Sequence, residues 1–292
     1  MRGHIFHRQN HQRNAFSASK RPGMTCRKVT IDRIALISNS DVDHARLKAT
    51  TAHHSGEWLH APHIALIGLK LTDEEIQISV AQRLGVWTCL PHTCICGKLV
   101  DVRGLHGFSC RKSTQRHKRH ALLKHIIWRA IKRGQIPAHK EPIGLITYGG
   151  KRPAGATLIP WSKGKPLAWD VTVHDTFADS HINMTPSEAG AAARQAASTK
   201  NTKYIDITST HIFYLIAIET IGSWDVQALE VIEEIGRRVT EAMEDPKETM
   251  YLFQRLSRPF RGVTRCHSST PLTKTTSRNP SQSTIFPLSN NC

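Results

Sequence analysis

Cys94 and Cys96, followed by His106 and Cys110, put three thiols and an imidazole into one seventeen-residue stretch with the spacing C-x-C-x9-H-x3-C. Zinc takes four nitrogen or sulfur ligands in a tetrahedron, and two short pairs closing one loop supply them at small cost in chain entropy. Gly97, Gly104 and Gly107 permit the tight turns that such a loop needs. The first pair is one residue tighter than the usual spacer. Cys89 and His92 could therefore replace a ligand of that pair, and His117 and His120 could compete for the last position. Buried structural thiols are the rival reading, because cysteine packs well in cores, but a Gly-rich, non-periodic stretch fits a core poorly. Four protein ligands imply a closed, structural zinc site. Seven cysteines in 292 residues are too few for a disulfide framework, and MRGHIFHRQNHQRN lacks an apolar signal region, so an intracellular, reducing compartment is expected.

Charge narrows the partner. Forty Lys and Arg against 23 acids give +17, and residues 94–153 hold 14 of those cations against Asp101 and Glu141 only. Residues 215–250 run the other way, with nine acids against Arg237, Arg238 and Lys247. A directed cationic surface points to a polyanion, nucleic acid above all. Arg111, Lys112, Arg116, Lys118, Arg119 and His120 cluster around the start of a helix, where backbone N–H groups also attract phosphate. A solvated charged face is the bland alternative. No aromatic residues interleave the run, so stacked single-strand readout is not indicated. No apolar window reaches membrane-spanning length, so no membrane partner is expected; the oligomeric state is not legible.

The periodicity predicts helices over 72–85, opened by a Thr72/Glu75 capping box and carrying Ile76, Val80 and Leu84, and over 114–133, with Leu123, Ile126, Ile127, Ala130 and Ile131 on one face. Strands are expected at 156–160, 167–173 and 211–218. A Thr185-Pro186-Glu188 capping box should open an Ala-rich helix ending near Lys200, Ser223 should cap a further helix, and 245–248 should start the last one. This order predicts an α/β fold with a mixed sheet between helices. In the strand, Leu167, Trp169, Val171 and Val173 share one face, which sends Asp170 and Thr172 to the other. Asp170 is a candidate metal ligand there, although a lone strand Asp is more often a hydrogen-bonded structural group. Glu141 precedes these strands, and Lys200, Lys203 and Tyr204 follow the Ala-rich helix.

Several runs together resemble the C-terminal region of reverse-transcriptase polyproteins of non-LTR retrotransposons that carry a restriction-like endonuclease. They are His54-Ser55-Gly56-Glu57-Trp58-Leu59, Leu84-Gly85, the Cys94/Cys96/His106-Gly107/Cys110 knuckle with Arg119-His120, and Gly150-Lys151-Arg152-Pro153. Thr157-Leu158-Ile159-Pro160-Trp161, Trp169-Asp170-Val171-Thr172 and Gln254-Arg255-Leu256-Ser257 complete the set. The resemblance implies a zinc knuckle feeding a PD-(D/E)xK-type nuclease fold that nicks duplex DNA with Mg²⁺, with RNA the alternative nucleic acid. It also implies that Ala154 stands where the motif has Asp, that Asp170 matches the second carboxylate, that Lys203 is the counterpart of the motif lysine with Tyr204 beside it, and that Glu141 matches an outlying acid. Lys151 and Arg152 join the DNA-facing cations. Ala cannot ligate a cation, so Mg²⁺ binding and cleavage are expected to be strongly impaired.

The expected organisation is a disordered basic tail over 1–30, a helical segment over 31–88, the knuckle and the start of the basic helix over 89–120, a restriction-endonuclease-like domain over 121–261, and a disordered Ser/Thr-rich tail over 262–292. The expected function is that of a nucleic-acid-binding remnant of a retrotransposon endonuclease, nuclear in location if functional. The alternative is a non-enzymatic, zinc-dependent nucleic-acid-binding or adaptor protein.

Overall fold

The computed structural model describes residues 38, 40–145 and 152–257, and its first helices show local charge and capping chemistry at their ends. The two tails and Lys151 lie outside the described residues. Helix α1, Asp41–Thr51, places Asp41 and Asp43 in its first turn, where carboxylates favour the helix dipole. Helix α2, Asp73–Leu84, opens on the expected capping box: the Glu75 N–H donates to Thr72 Oγ1, and the Thr72 N–H donates to the Glu75 carboxylate at 2.8 Å. It stops at Gly85, whose φ of +74° suits glycine. Its buried face differs from expectation, for Ser79 and Gln82 are buried while Leu84 is exposed. Polar bonds dock this helix instead: the Arg83 guanidinium donates to the carbonyls of Ser55 and Thr50, and Arg46 donates to that of Arg83.

Strands β1 (His92–Thr93) and β2 (Leu99–Val100) form a small antiparallel hairpin, followed by the one-turn helix α3, His106–Ser109. Helix α4 spans Thr114–Arg133 as expected and buries Leu123, Ile127, Ala130 and Ile131. It runs unbroken past residue 120, so the basic helix and the first helix of the sheet region are one element.

A four-stranded sheet follows in the order β3 (Ala138–Lys140), β4 (Gly155–Thr157), β5 (Leu167–His174), β6 (Ile212–Glu219). The first three strands form an antiparallel meander; β6 lies parallel to β5, reached through helix α5 (Ala191–Asn201) and a 3-10 segment, Thr202–Ser209. Helices α6 (Val226–Met243) and α7 (Glu248–Ser257) complete the order, giving the mixed α/β architecture expected. One sheet face packs Leu167, Trp169, Val171, Ile216 and Ile218 against α4, α6 and α7. The other packs Ala168 against Tyr204 and Ile207, and Leu215 and Ala217 against Ala193 and Ala197. A strand covered on both faces must be apolar on both, which is why Asp170 and Thr172 stand out. Among the described residues no helix is long and apolar enough to cross a membrane.

Two predicted caps are corrected. Helix α5 begins at Ala191 after Gly190 with φ +80°, not at Thr185. The Thr185 hydroxyl donates to the Thr176 carbonyl and Glu188 pairs with Arg194, so neither is left to cap. The capping group comes from the sheet: the buried Glu219 carboxylate accepts from the Ala192 N–H at 2.9 Å and from that of Ala193. Burial pushes the Glu219 carboxyl up, against these bonds. Helix α6 is capped by Asp225, which accepts from the Gln227 N–H, rather than by Ser223 two residues earlier.

Candidate functional site

The thiol cluster is built by the β1–β2 turn and α3. The Cys94 N–H donates to the Lys98 carbonyl at 2.9 Å and the Gly97 N–H to that of Cys94 at 2.8 Å, with Gly97 at φ +89°. These bonds turn the chain within three residues, so Cys94 and Cys96 face one point. His106 opens α3 and Cys110 follows its last turn, the Cys110 N–H donating to the His106 carbonyl. The donor atoms of Cys94, Cys96, His106 and Cys110 all lie within 4.8 Å of one another. Cys94 and Cys110 Sγ are 3.6 Å apart, and Cys96 Sγ is 3.0 Å from His106 Nε2. A tetrahedral ion with bonds of about 2.3 Å spaces its sulfurs about 3.8 Å apart, whereas a disulfide needs about 2.05 Å. The cluster could hold one metal ion, and its donor set suits zinc. Burial raises the Cys94 thiol, but the Cys96 N–H and the neighbouring Cys110, Cys96 and His106 groups outweigh it and bring the thiol down to about 6.

The substitutes left open by the spacing are not in this cluster. Cys89 Sγ contacts the Asp101 carbonyl and burial pushes its thiol up; His92 Nδ1 bonds the Leu90 carbonyl. The exposed His117 is also outside the cluster, and His120 Nε2 faces the Val171 carbonyl at 2.9 Å. Arg103 clamps the knuckle loop to α1 through two bonds to Asp43, at 3.0 and 3.1 Å, and Lys112 Nζ donates to the Ile95 carbonyl.

The basic cluster divides. Arg111, Lys112, Arg116, Lys118 and Arg152 are exposed. Arg119 and His120 do not belong to that surface. Arg119 is 5% exposed, donates to the Phe108 carbonyl and has its ionisation lowered to about 10 by burial. His120 is half-buried against β5, and burial lowers it too. Helical spacing explains the division: residues 119, 120, 123 and 127 share the inward face of α4. A groove of about 790 Å³ lies between α4 and residues 65–68, lined by Lys118, Arg119, Arg129, Arg133 and Arg255 and by one acid, Glu75.

The sheet gathers the second candidate site. Asp170, 6% exposed, accepts from Tyr204 Oη at 2.9 Å and from Lys200 Nζ at 3.2 Å. Burial, then the Asp170 charge, push the Tyr204 phenol up. The lysine here is Lys200 of α5; Lys203 is exposed on the 3-10 segment and does not meet Asp170. Lys200, at the end of α5, and Tyr204 both reach Asp170, whereas Lys203 is exposed, a distinction that spacing alone does not make.

The β3–β4 and β4–β5 registers carried one step further align Glu141 with Ala154 and Ala154 with Asp170, and the Glu141 N–H donates to the Ala154 carbonyl at 3.1 Å. The Ala154 methyl is buried with the α4-side core. Glu141 pairs with Lys124 of α4 and is held below the usual carboxylate range by it. Asp170 is not part of a three-donor metal cluster among the described residues; its second oxygen is engaged by an ammonium and a phenol instead. Compared with protein-family models and with curated proteins, the chain matches none.

Proposed function

We propose that this chain is a nucleic-acid-binding remnant of a restriction-like endonuclease domain of the non-LTR retrotransposon kind, in which a zinc knuckle survives and phosphodiester cleavage is lost. One observation carries the reading: a buried sheet acid, Asp170, meets a lysine from the following helix, while the residue leading into β4, Ala154, supplies no second carboxylate and has its methyl in the α4-side core. Metal-assisted hydrolysis needs carboxylates converging on a divalent cation. An alanine supplies none, and the Lys200 and Tyr204 bonds to Asp170 favour a structural role for the remaining acid. The αβββαβ order from α4 to β6, with helices on both sheet faces, is compatible with such a core. Zinc is the ion that the Cys3His donor set suits best, and its task is to hold the loop beside the cationic start of α4. Duplex DNA is the proposed ligand and the nucleus the place of action.

The test is a gel shift of duplex DNA by the purified chain across salt. If the five exposed cations of the basic cluster each neutralise a phosphate, raising salt from 50 to 300 mM lowers affinity by roughly three orders of magnitude. An unchanged affinity overturns the nucleic-acid reading. Mg²⁺-dependent nicking is expected to be absent from the natural chain, with Ala154→Asp gaining a trace; robust nicking by the natural chain, abolished by Asp170→Ala, overturns the loss of catalysis.

A further inference from the structure

A second group of metal-capable side chains lies outside the knuckle and outside the Asp170 site. His53 and His54 occupy the turn between α1 and the 3-10 turn Glu57–His60, and Glu233 sits on α6. Their donor atoms lie within 4.8 Å of one another. We propose that His53, His54 and Glu233 form a binding site for one divalent first-row transition ion of the zinc class, with Glu57 orienting the central imidazole.

The geometry of His54 carries this. Its Nδ1 faces Glu57 Oε1 at 2.9 Å, so the carboxylate accepts from Nδ1–H, the tautomer that leaves the Nε2 lone pair outward. A carboxylate behind an imidazole is the usual outer partner of a metal-bound histidine, fixing both tautomer and ring angle. The ring is held a second way, stacked on Phe253 of α7 at 3.8 Å with a 4° interplanar angle. The Nε2 atom looks toward Glu233 Oε1 at 3.9 Å. That is too long for a hydrogen bond, yet within the span of two ligands on one ion, since two bonds of about 2.1 Å reach about 4.2 Å. The ring of His53 stands 3.8 Å from that of His54 at 57°, an arrangement that suits two nitrogens turned toward a common centre.

His54 also has φ +59°, a left-handed conformation uncommon for a residue with a side chain. At this turn the donor atoms of two successive histidines come within 4.8 Å of one another. Two imidazoles and one carboxylate suit zinc, copper, nickel or cobalt, and leave a position for water. The bound ion would pin the turn after α1 to α6, elements that the long His54–Glu233 pair already brings together. The proposal is independent of the nuclease reading.

The test is metal content and cobalt titration of the full chain under reducing conditions, comparing the natural sequence with His53→Ala and Glu233→Gln. Glu233 is an exposed helix position, so its conversion to Gln leaves folding intact. Residues 1–37 contain further histidines, so the site is read as the equivalent lost on substitution. The expected result is loss of one equivalent in each variant, or at least a tenfold weaker affinity for it. That equivalent should lack the thiolate charge-transfer absorption that marks the Cys94/Cys96/His106/Cys110 ion, which both variants retain. Variants that bind as much cobalt and zinc as the natural chain, with the same affinity, overturn the proposal. Loss confined to the thiolate-marked equivalent overturns it equally, and failure to see that marked equivalent in any chain counts against the knuckle, not against this site.

Discussion

Replacing Lys200 with Met isolates the role that Asp170 now plays. The ammonium stands 3.2 Å from Asp170 Oδ2, with the carboxylate side chain 9% exposed and the lysine 31% exposed. With an effective dielectric constant near 20, unit charges at that distance attract by about 5 kcal/mol. Solvent around the lysine and the cost of ordering it reduce the net value, while removal of one partner leaves a nearly buried carboxylate supported only by Tyr204. We therefore expect Lys200→Met to destabilise by about 2–3 kcal/mol, which for a chain of this size lowers Tm by roughly 5–10 °C. Asp170→Asn should cost less, because the freed ammonium can reach water. The assay is urea unfolding of the natural chain, both single variants and the double variant, read as a double-mutant cycle. The expected coupling is about 1–3 kcal/mol. Coupling below about 0.5 kcal/mol would show that the two groups do not depend on each other, and the structural account of Asp170 would fall.

Cys110→Ala should release one equivalent of zinc and unfold the knuckle, whereas Cys89→Ala should keep that zinc, since Cys89 is outside the cluster; zinc loss in Cys89→Ala would refute the ligand set. Gly155→Ala drives a methyl group to 2.2 Å from the Trp169 ring, which is fully buried and has nowhere to go, so a loss of about 2–3 kcal/mol is expected in urea unfolding; a neutral substitution would mean that β4 and β5 are not paired as described. His174 is lowered to about 4 by burial, with His181, Lys200 and Arg116 adding to it. It is therefore neutral in the fold and its contribution is intact above its ordinary value of 6.5, then lost as pH falls toward 4, by up to about 3 kcal/mol before solvent screening. His174→Gln should flatten the stability profile across that window, and an unaltered slope would refute the assignment.

Residues acting through near neighbours were legible without coordinates. The Thr72/Glu75 cap, the 114–133 helix with its buried face, the two-faced strand around Asp170 and the grouping of Cys94, Cys96, His106 and Cys110 all follow from spacings of a few residues, because turns, helices and pleats repeat over that range. The same spacings left Cys89, His92, His117 and His120 as rival ligands, for linear distance cannot say which way a turn faces; the hairpin bonds at Gly97 decide it.

Other features needed partners far along the chain. Glu219 caps α5 from 27 residues away and displaces the local cap at Thr185. Arg119 and His120 leave the cationic surface because Phe108 and Val171 offer them carbonyls. Lys200 replaces Lys203 because the crossover from β5 to β6 sets which side of α5 meets the strand. His53, His54 and Glu233 meet only when α6 lies against the turn after α1. By itself the sequence determined periodicity, turn sites and the grouping of three thiols and an imidazole, whose causes are local; the tertiary structure alone decided which buried polar groups find partners, because desolvation favours pairing with whatever group the packing brings near.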